Sequence, residues 1–553
     1  MKTYGIVVAF PPGSNLHTHG LGRFLQHFCQ ASSNISSDIR FALFCPSWSK
    51  REIRQLLCTL DNPPEIVCPK AVPYLVRLDQ GLKWWSTRTH RNAYLRQFLV
   101  SHLEAATQYF LMTFFRRLAK VNSGYSLLLF LPWLGVMIAV LPVAILFLGL
   151  RSLYTLICCQ ISKARPSGKR LLKYFIGQAK LGAGLGNSHR LLVSVYGSIV
   201  EQECARIVKI ANRRPDIDAW YCPTAFWPEF RSLKAPLTCC IPDFFFREFP
   251  VGFSESGGLA SVETFDNVEK VISSSHQLIT YSETVKQAIC VRLYGREPSD
   301  VHVIPNAPMC LRTHLPPLQI DGIKNKVAVT FAQWQLKLAL AECAHPLNSG
   351  FIGGSDPKGL RFLFYASHFR PNKNVLNLIR AFKKLREQKL IHLKLLMTGN
   401  PTTDRGVREF VERHELERDV IFLNNLSDRQ LASCYYLADL AINPSLSEGG
   451  LPFTFTESLS LETPVLLANT AVTNEFLKDD QLKNLSLFDP TDSSKIAEKI
   501  SFALANREHL LAVQTEAYQP LLARTWENVV EEHVSLLDHI SQRYSGEQKS
   551  NSG

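Results

Sequence analysis

Residues 440–469 read LAINPSLSEGGLPFTFTESLSLETPVLLAN. Apolar runs at either end, LAINPS and PVLLAN, have the composition of buried strands. Between them, Ser447–Glu457 carries two carboxylates, Glu448 and Glu457, and no other charge. The eight residues that separate the two acids are two glycines, a leucine, a proline, two phenylalanines and two threonines. A surface turn could hold such a pair without using it, so the meaning of this loop depends on the rest of the chain.

Working outward, apolar strand candidates alternate with helical segments, the signature of a parallel α/β sheet. In the first half they are YGIVVAF, FALFC, LLVSVYG (191–197), AWYCPT, LTCCIPDF, QLITYSE and VHVIPN; in the second they are RFLFYAS, LKLLMTG, VIFLNN, LAINPS and PVLLAN. Asn374–Gln388 has helical periodicity, with Val375, Leu378, Ile379, Phe382 and Leu385 on one face. The expected organisation is two facing Rossmann-like α/β domains, 1–308 and 359–525. Residues 309–358 read as a linker with an insert, 526–544 as a final amphipathic helix, and 545–553 as a frayed tail. Ligands of such sheets bind at the carboxyl ends of the strands.

A chain of 553 residues exceeds one core, which agrees with two domains. The net charge of +13 favours an anionic partner. No compact Lys/Arg run or helix-turn-helix pattern is present, so nucleic acid is not expected. The 14 cysteines include no CxxC pair, and MKTYGIVVAF runs straight into a strand without a cleavage region, so a reducing, cytosolic setting is expected.

One stretch departs from the α/β pattern. Leu127–Leu150 holds 24 residues without a charge. As a single helix it would be about 36 Å long, enough to cross a bilayer core. Pro132 and Pro142 argue against one straight helix. Basic residues on both flanks, among them Arg116, Arg117, Arg151 and Lys163, favour both ends on the cytoplasmic face. A membrane-associating insert at about 100–180 is therefore expected, re-entrant or monotopic, because a full crossing would split the first domain.

Loops at strand ends supply candidate ligand groups. After the first strand, FPPGSNLHTHGLGRFL offers Gly20 and Gly22, where backbone N–H groups could meet an anion, with Arg23 beside them. GAGLG (182–186) is read as preceding a strand and carries less weight. Asp216 and Asp218 have the spacing of a metal-gripping pair but read as a turn before AWYCPT. In FLFYASHFRPNKNVLNLIRAF, His368, Arg370 and Lys373 gather where a loop meets a helix, and a bound diphosphate would offset their conflict with the helix dipole.

The stretch 440–467 resembles the donor-site signature of family 4 retaining glycosyltransferases, which have the GT-B fold. HGLGR, ITYSETVKQ, VHVIPNAP, SHFRPNKN, LLMTGN and LSDRQLASCYYLADLAINPS occur in the matching order. The resemblance implies a nucleotide diphosphate sugar as donor and no metal requirement. It implies that Glu448 reaches hydroxyls of the donor sugar, with Gly449, Gly450 and Leu451 near the sugar and diphosphate. Glu457 would accept the ribose hydroxyls, while Lys373 and Arg370 neutralise the leaving diphosphate. Several positions depart from the family pattern: the glutamates are one residue further apart, Glu462 stands where Gly is usual, and His368 replaces an Arg. Pro242-Asp243 stands where a His-Asp pair is common, leaving Asp243 as an acceptor-side candidate. The function expected is sugar transfer with retention to a lipid-linked or polysaccharide acceptor at the cytoplasmic membrane face. A sugar-nucleotide epimerase and a catalytically silent scaffold of the same fold are the alternatives.

Overall fold

The structure is a computed structural model that describes residues 2–14, 16, 20–35, 38–58, 60, 62–77, 185–243, 248–249, 259–320, 323–342, 359–401 and 404–551. The hydrophobic insert, Leu127–Leu150 included, lies outside the described residues. Among the described residues no helix is long and apolar enough to cross a membrane.

Two sheets, each parallel throughout, form the frame. The first contains β1 (Lys2–Val7), β2 (Ile39–Phe44), β3 (Glu65–Val67), β4 (Ala219–Cys222), β5 (Leu237–Ile241), β6 (Gln277–Thr280) and β7 (Val301–Val303), in the order β3-β2-β1-β4-β5-β6-β7. A small hairpin follows, β8 (Gln319–Ile320) and β9 (Ile323–Lys324). The second large sheet contains β10 (Phe362–Tyr365), β11 (Lys394–Thr398), β12 (Val420–Leu423), β13 (Leu440–Asn443), β14 (Val465–Ala468) and β15 (Leu487–Phe488), in the order β12-β11-β10-β13-β14-β15. Strands such as AWYC and FLFY are buried at every position, as expected where helices cover both sheet faces. In each sheet the strand order reverses beside the first strand, at β1/β4 and at β10/β13, the switch point where a crevice opens.

Several expectations need correction. LLVSVYG lies within the helix Leu185–Ala211 and is not a strand, so GAGLG runs into a helix. A short apolar run does not separate the two periods. Strands β3 and β15 were not anticipated because EIV and LF are too short to show a pattern. The described part of 309–358 holds more than a linker: the helix Lys326–Glu342 buries Ala328, Ala332 and Leu336 in the core of the second domain. The final helix continues from Trp526 to Asn551, beyond the expected start of the frayed tail. It returns to the first domain and inserts Val529, Val530 and Leu537 into that core.

Glu462 has φ of +59°, the left-handed region that glycine favours. Its carboxylate accepts from Arg312 Nη2 at 3.2 Å and Gln319 Nε2 at 2.8 Å, contacts that a glycine could not make.

Candidate active site

Between the domains lies a cleft of about 2470 Å³, walled by the loops that follow β1, β5, β6, β10, β11 and β13. The loop after β10 and the loop after β13 are stitched together before either can meet a ligand. Asn372, buried, donates from Nδ2 to Ser447 O at 3.2 Å and accepts at its carbonyl from Leu446 N at 2.8 Å. The Tyr365 hydroxyl lies 3.2 Å from Lys373 O and 3.3 Å from Ser445 Oγ. Asn374 adopts φ of +54° at the start of the helix Val375–Gln388, and its Nδ2 donates to Pro444 O and Pro490 O. These contacts bring Lys373 Nζ to 2.6 Å from Glu448 Oε1, with both side chains 19% exposed. The expected cation–carboxylate neighbours are thus assembled, and His368 and Arg370 line the same cleft.

Glu457 does not close the loop, because the helix has already begun at Phe453. It lies inside the helix Phe453–Leu459 and is only 3% exposed. Arg23 reaches across from the first domain and forms an ion pair with Oε1, while Tyr435 OH donates to Oε2 at 2.9 Å. Burial disfavours the charged guanidinium, but the Glu457 carboxylate outweighs it and holds the Arg23 pKa above its ordinary value. Arg23 and Glu457 were each singled out from sequence, yet their pairing was not. Gly20 opens the helix Gly20–Ile35 and faces the cleft. At Gly22 a Cβ would lie 1.9 Å from Leu16 O, so this glycine permits close packing behind the cleft wall.

Asp243 follows β5 and faces the Gly449–Leu451 loop from the first domain. Burial raises its carboxyl to about 6, opposed by Arg370 and Lys373 and reinforced by Glu448 and Glu248. Gly449 is pressed against the same turn, since a Cβ on it would lie 1.4 Å from Pro242 O and 3.1 Å from Asp243 Cβ. Gly450 packs on Tyr281, with a corresponding gap of 3.1 Å to Tyr281 Cβ. Gly399, at φ +123°, turns the chain after β11 beside Phe369 and Ser367 O, where a side chain would collide.

Sequence reading missed Asn372, Tyr435, Ser282 and Glu475. Ser282 and Glu475 both bond across the two domains; Ser282 stood in the ITYSETVKQ motif without a visible partner, and Glu475 lay outside every motif. The Asp216–Asp218 pair is used structurally: Asp216 takes a fork of two 2.8 Å bonds from Arg214, and Asp218 Oδ2 accepts from Thr3 N at 2.9 Å. Among the described residues no group of three or more His, Cys, Asp or Glu side chains could hold a metal ion.

Comparison with known proteins places this geometry. Residues 354–519 match the family described as Glycosyl transferases group 1. The lipopolysaccharide 1,2-N-acetylglucosaminetransferase of Salmonella typhimurium is 28% identical over 176 residues, covering 31% of this chain and 46% of that protein. The O-antigen chain mannosyltransferase B of Escherichia coli is 25% identical over 169 residues, covering 30% of this chain and 43% of that protein. The chain thus spans less than half the length of the curated relatives it matches. Over nearly its whole length the fold is similar to sucrose-phosphate synthase from Thermosynechococcus elongatus, with a TM-score of 0.51, 11% identity, and 98% of this chain and 99% of that chain covered. The fold is therefore GT-B, and residues 354–519 match a glycosyl transferases group 1 domain.

Proposed function

We propose that this protein transfers a sugar, with retention, from a nucleotide diphosphate sugar to a glycan or lipid-linked acceptor. The observation that carries the reading is the Lys373–Glu448 pair, held at 2.6 Å in the interdomain cleft beside Arg370 and opposite Asp243. A donor entering the cleft exchanges these internal pairings for its own. Lys373 and Arg370 turn to the diphosphate and stabilise the charge that grows on it as it departs. Glu448, released from Lys373, accepts hydroxyls of the donor sugar, and a carboxylate can take two such donors. The backbone at Gly449, Gly450 and Leu451 fits against the sugar because two of those residues lack side chains.

At the nucleoside end, ribose hydroxyls replace Arg23 at Glu457 Oε1, and the freed guanidinium joins the diphosphate. Asp243 lies on the acceptor side and orients the incoming hydroxyl. Catalysis by positioning and electrostatic stabilisation needs no metal. The acceptor class rests on the names of the two curated relatives and on the apolar run Leu127–Leu150. That run, with its basic flanks, supports action at the cytoplasmic face of a membrane. Nucleic acid is no part of this reading.

Calorimetric titration of the detergent-solubilised chain with UDP, GDP and ADP in EDTA tests the reading. One nucleotide should bind without metal, and Glu457→Ala should weaken it by about 1–3 kcal/mol, the cost of an unmade hydrogen bond to a charged group. A folded chain that binds none of the three would overturn the proposal and leave the silent scaffold in its place.

A further inference from the structure

The helical turn after β6 obtains its capping partners from two domains. The first N–H groups of a helix lack acceptors within it and must find them elsewhere. Ser282 supplies one: its Oγ accepts from Val285 N at 3.2 Å. The next donors cross the cleft. Glu283 N reaches Glu475 Oε1 at 2.8 Å, Thr284 N reaches Glu475 Oε2 at 2.8 Å, and Thr284 Oγ1 adds a bond of 2.6 Å to the same oxygen. Glu475 belongs to the helix Ala471–Phe476 that follows β14. A carboxylate at a helix N-terminus is also favoured by the helix dipole. The same turn then reaches back: Ser282 Oγ, fully buried, donates to Gly449 O at 2.8 Å.

We infer that Glu475 is a positioning residue for the Gly449–Leu451 loop, acting through the 282–284 turn. Its carboxylate draws that turn onto the second domain, and Ser282 then holds the Gly449 carbonyl in the place it takes between the domains. Pro242 O closes the other side of Gly449, so the loop is clamped between two segments of the first domain. Nothing in the second domain alone fixes the Gly449 carbonyl in this way among the described residues. The catalytic meaning of the clamp rests on the donor-loop reading given above; its geometry does not.

Amide hydrogen exchange on the full ligand-free chain tests the clamp without any substrate. Glu475→Gln replaces one acceptor oxygen with an NH2 group that cannot accept from Thr284. Exchange should accelerate roughly tenfold in both 283–285 and 448–452, the loss expected for a hydrogen bond to a charged group. Ser282→Ala should loosen 448–452 with Glu475 intact, which provides a second route if the first variant folds poorly. Asp479→Ala, which removes the cap on Leu482 N in the neighbouring helix, should leave 448–452 unchanged. If both the Glu475→Gln and the Ser282→Ala chains keep wild-type protection at 448–452, the inference is wrong. A parallel titration with UDP, GDP and ADP should show five- to twentyfold weaker binding in Glu475→Gln of whichever nucleotide the wild type takes. Absence of all binding in the wild type would remove the functional reading, while the exchange data still decide whether Glu475 clamps the loop.

Discussion

Gly449→Ala tests the closeness of the two domains at the Gly449–Leu451 loop. The added Cβ would start 1.4 Å from Pro242 O, whereas ordinary van der Waals contact begins at 3.4 Å. The obstacle is backbone, so no rotamer change relieves it. Either the Gly449 segment or the Pro242–Asp243 turn must retreat by about 2 Å. Where the Gly449 segment is the one that moves, a shift of that size cannot keep the 2.8 Å bond from Ser282 Oγ to Gly449 O in hydrogen-bond geometry. The broken bond leaves a buried hydroxyl short of an acceptor, at about 1–3 kcal/mol. Displacement of a substrate-positioning group by 1 Å can cost on the order of 100-fold in rate. The expectation is therefore a loss of at least roughly 100-fold in sugar transfer, with the unfolding midpoint shifted by no more than a few degrees. Radiolabelled donor turnover, beside thermal unfolding of the same preparations, makes the comparison. A variant within threefold of wild-type turnover would refute the reasoning, because it would mean the contact is absent in the active molecule.

Other perturbations address the charges. Arg23→Met leaves Glu457 buried with Tyr435 alone, and breaking a buried pair in this way costs about 3–5 kcal/mol. Because Arg23 is 18% exposed on the cleft side, water softens the loss to about 1–3 kcal/mol, measurable by urea unfolding; adding Glu457→Gln should restore part of it, and a single-variant loss under about 0.5 kcal/mol would exclude the pair as a stabiliser. For Asp243, a carboxyl raised to about 6 is protonated below that pH and ionised above it, so transfer that needs the carboxylate should climb between pH 5 and 7; Asp243→Asn should abolish that limb, and a wild-type profile flat across it would contradict the assignment. His533 is fully buried, its Nδ1 faces Val529 O at 2.7 Å, and burial lowers its pKa to about 4. The unfolded chain therefore takes up the proton first, so stability is full above about pH 6.5 and falls towards pH 4 by up to ~1.4 kcal/mol per pH unit. His533→Phe should flatten that slope, and an unchanged slope would place the acid-sensitive group elsewhere.

The α/β class, the two domains and eleven of the large-sheet strands were legible because a parallel sheet covered on both faces demands short, fully apolar runs. The same property explains the error at 191–197. Over seven residues an apolar stretch of helix reads like a central strand, and only the length of the element tells them apart. β3 and β15 lie at sheet edges and span three residues and two, too few to display a period. The helix Lys326–Glu342 escaped because its buried positions are largely alanines, which carry little hydropathy contrast with their neighbours.

At the site, groups within one loop system could be read and groups paired across the cleft could not. Lys373 and Glu448 sit on loops following adjacent strands β10 and β13, so strand topology alone predicts that they meet. Arg23 and Glu457 are 434 positions apart, on different sheets, and nothing local to either names the other. Their encounter depends on how the domains are joined. The chain leaves the first domain after β7 and re-enters it before the helix Trp526–Asn551. There Arg524 ties the two crossings together, donating from Nε to Pro305 O at 2.9 Å and pairing with Glu532. A change in those crossings moves every cross-cleft partner at once: Arg23 against Glu457, Ser282 against Gly449, and the 283–284 turn against Glu475. The sequence therefore shows which charged and polar side chains gather at the strand ends of each domain, while the double crossing determines which of them are brought into register.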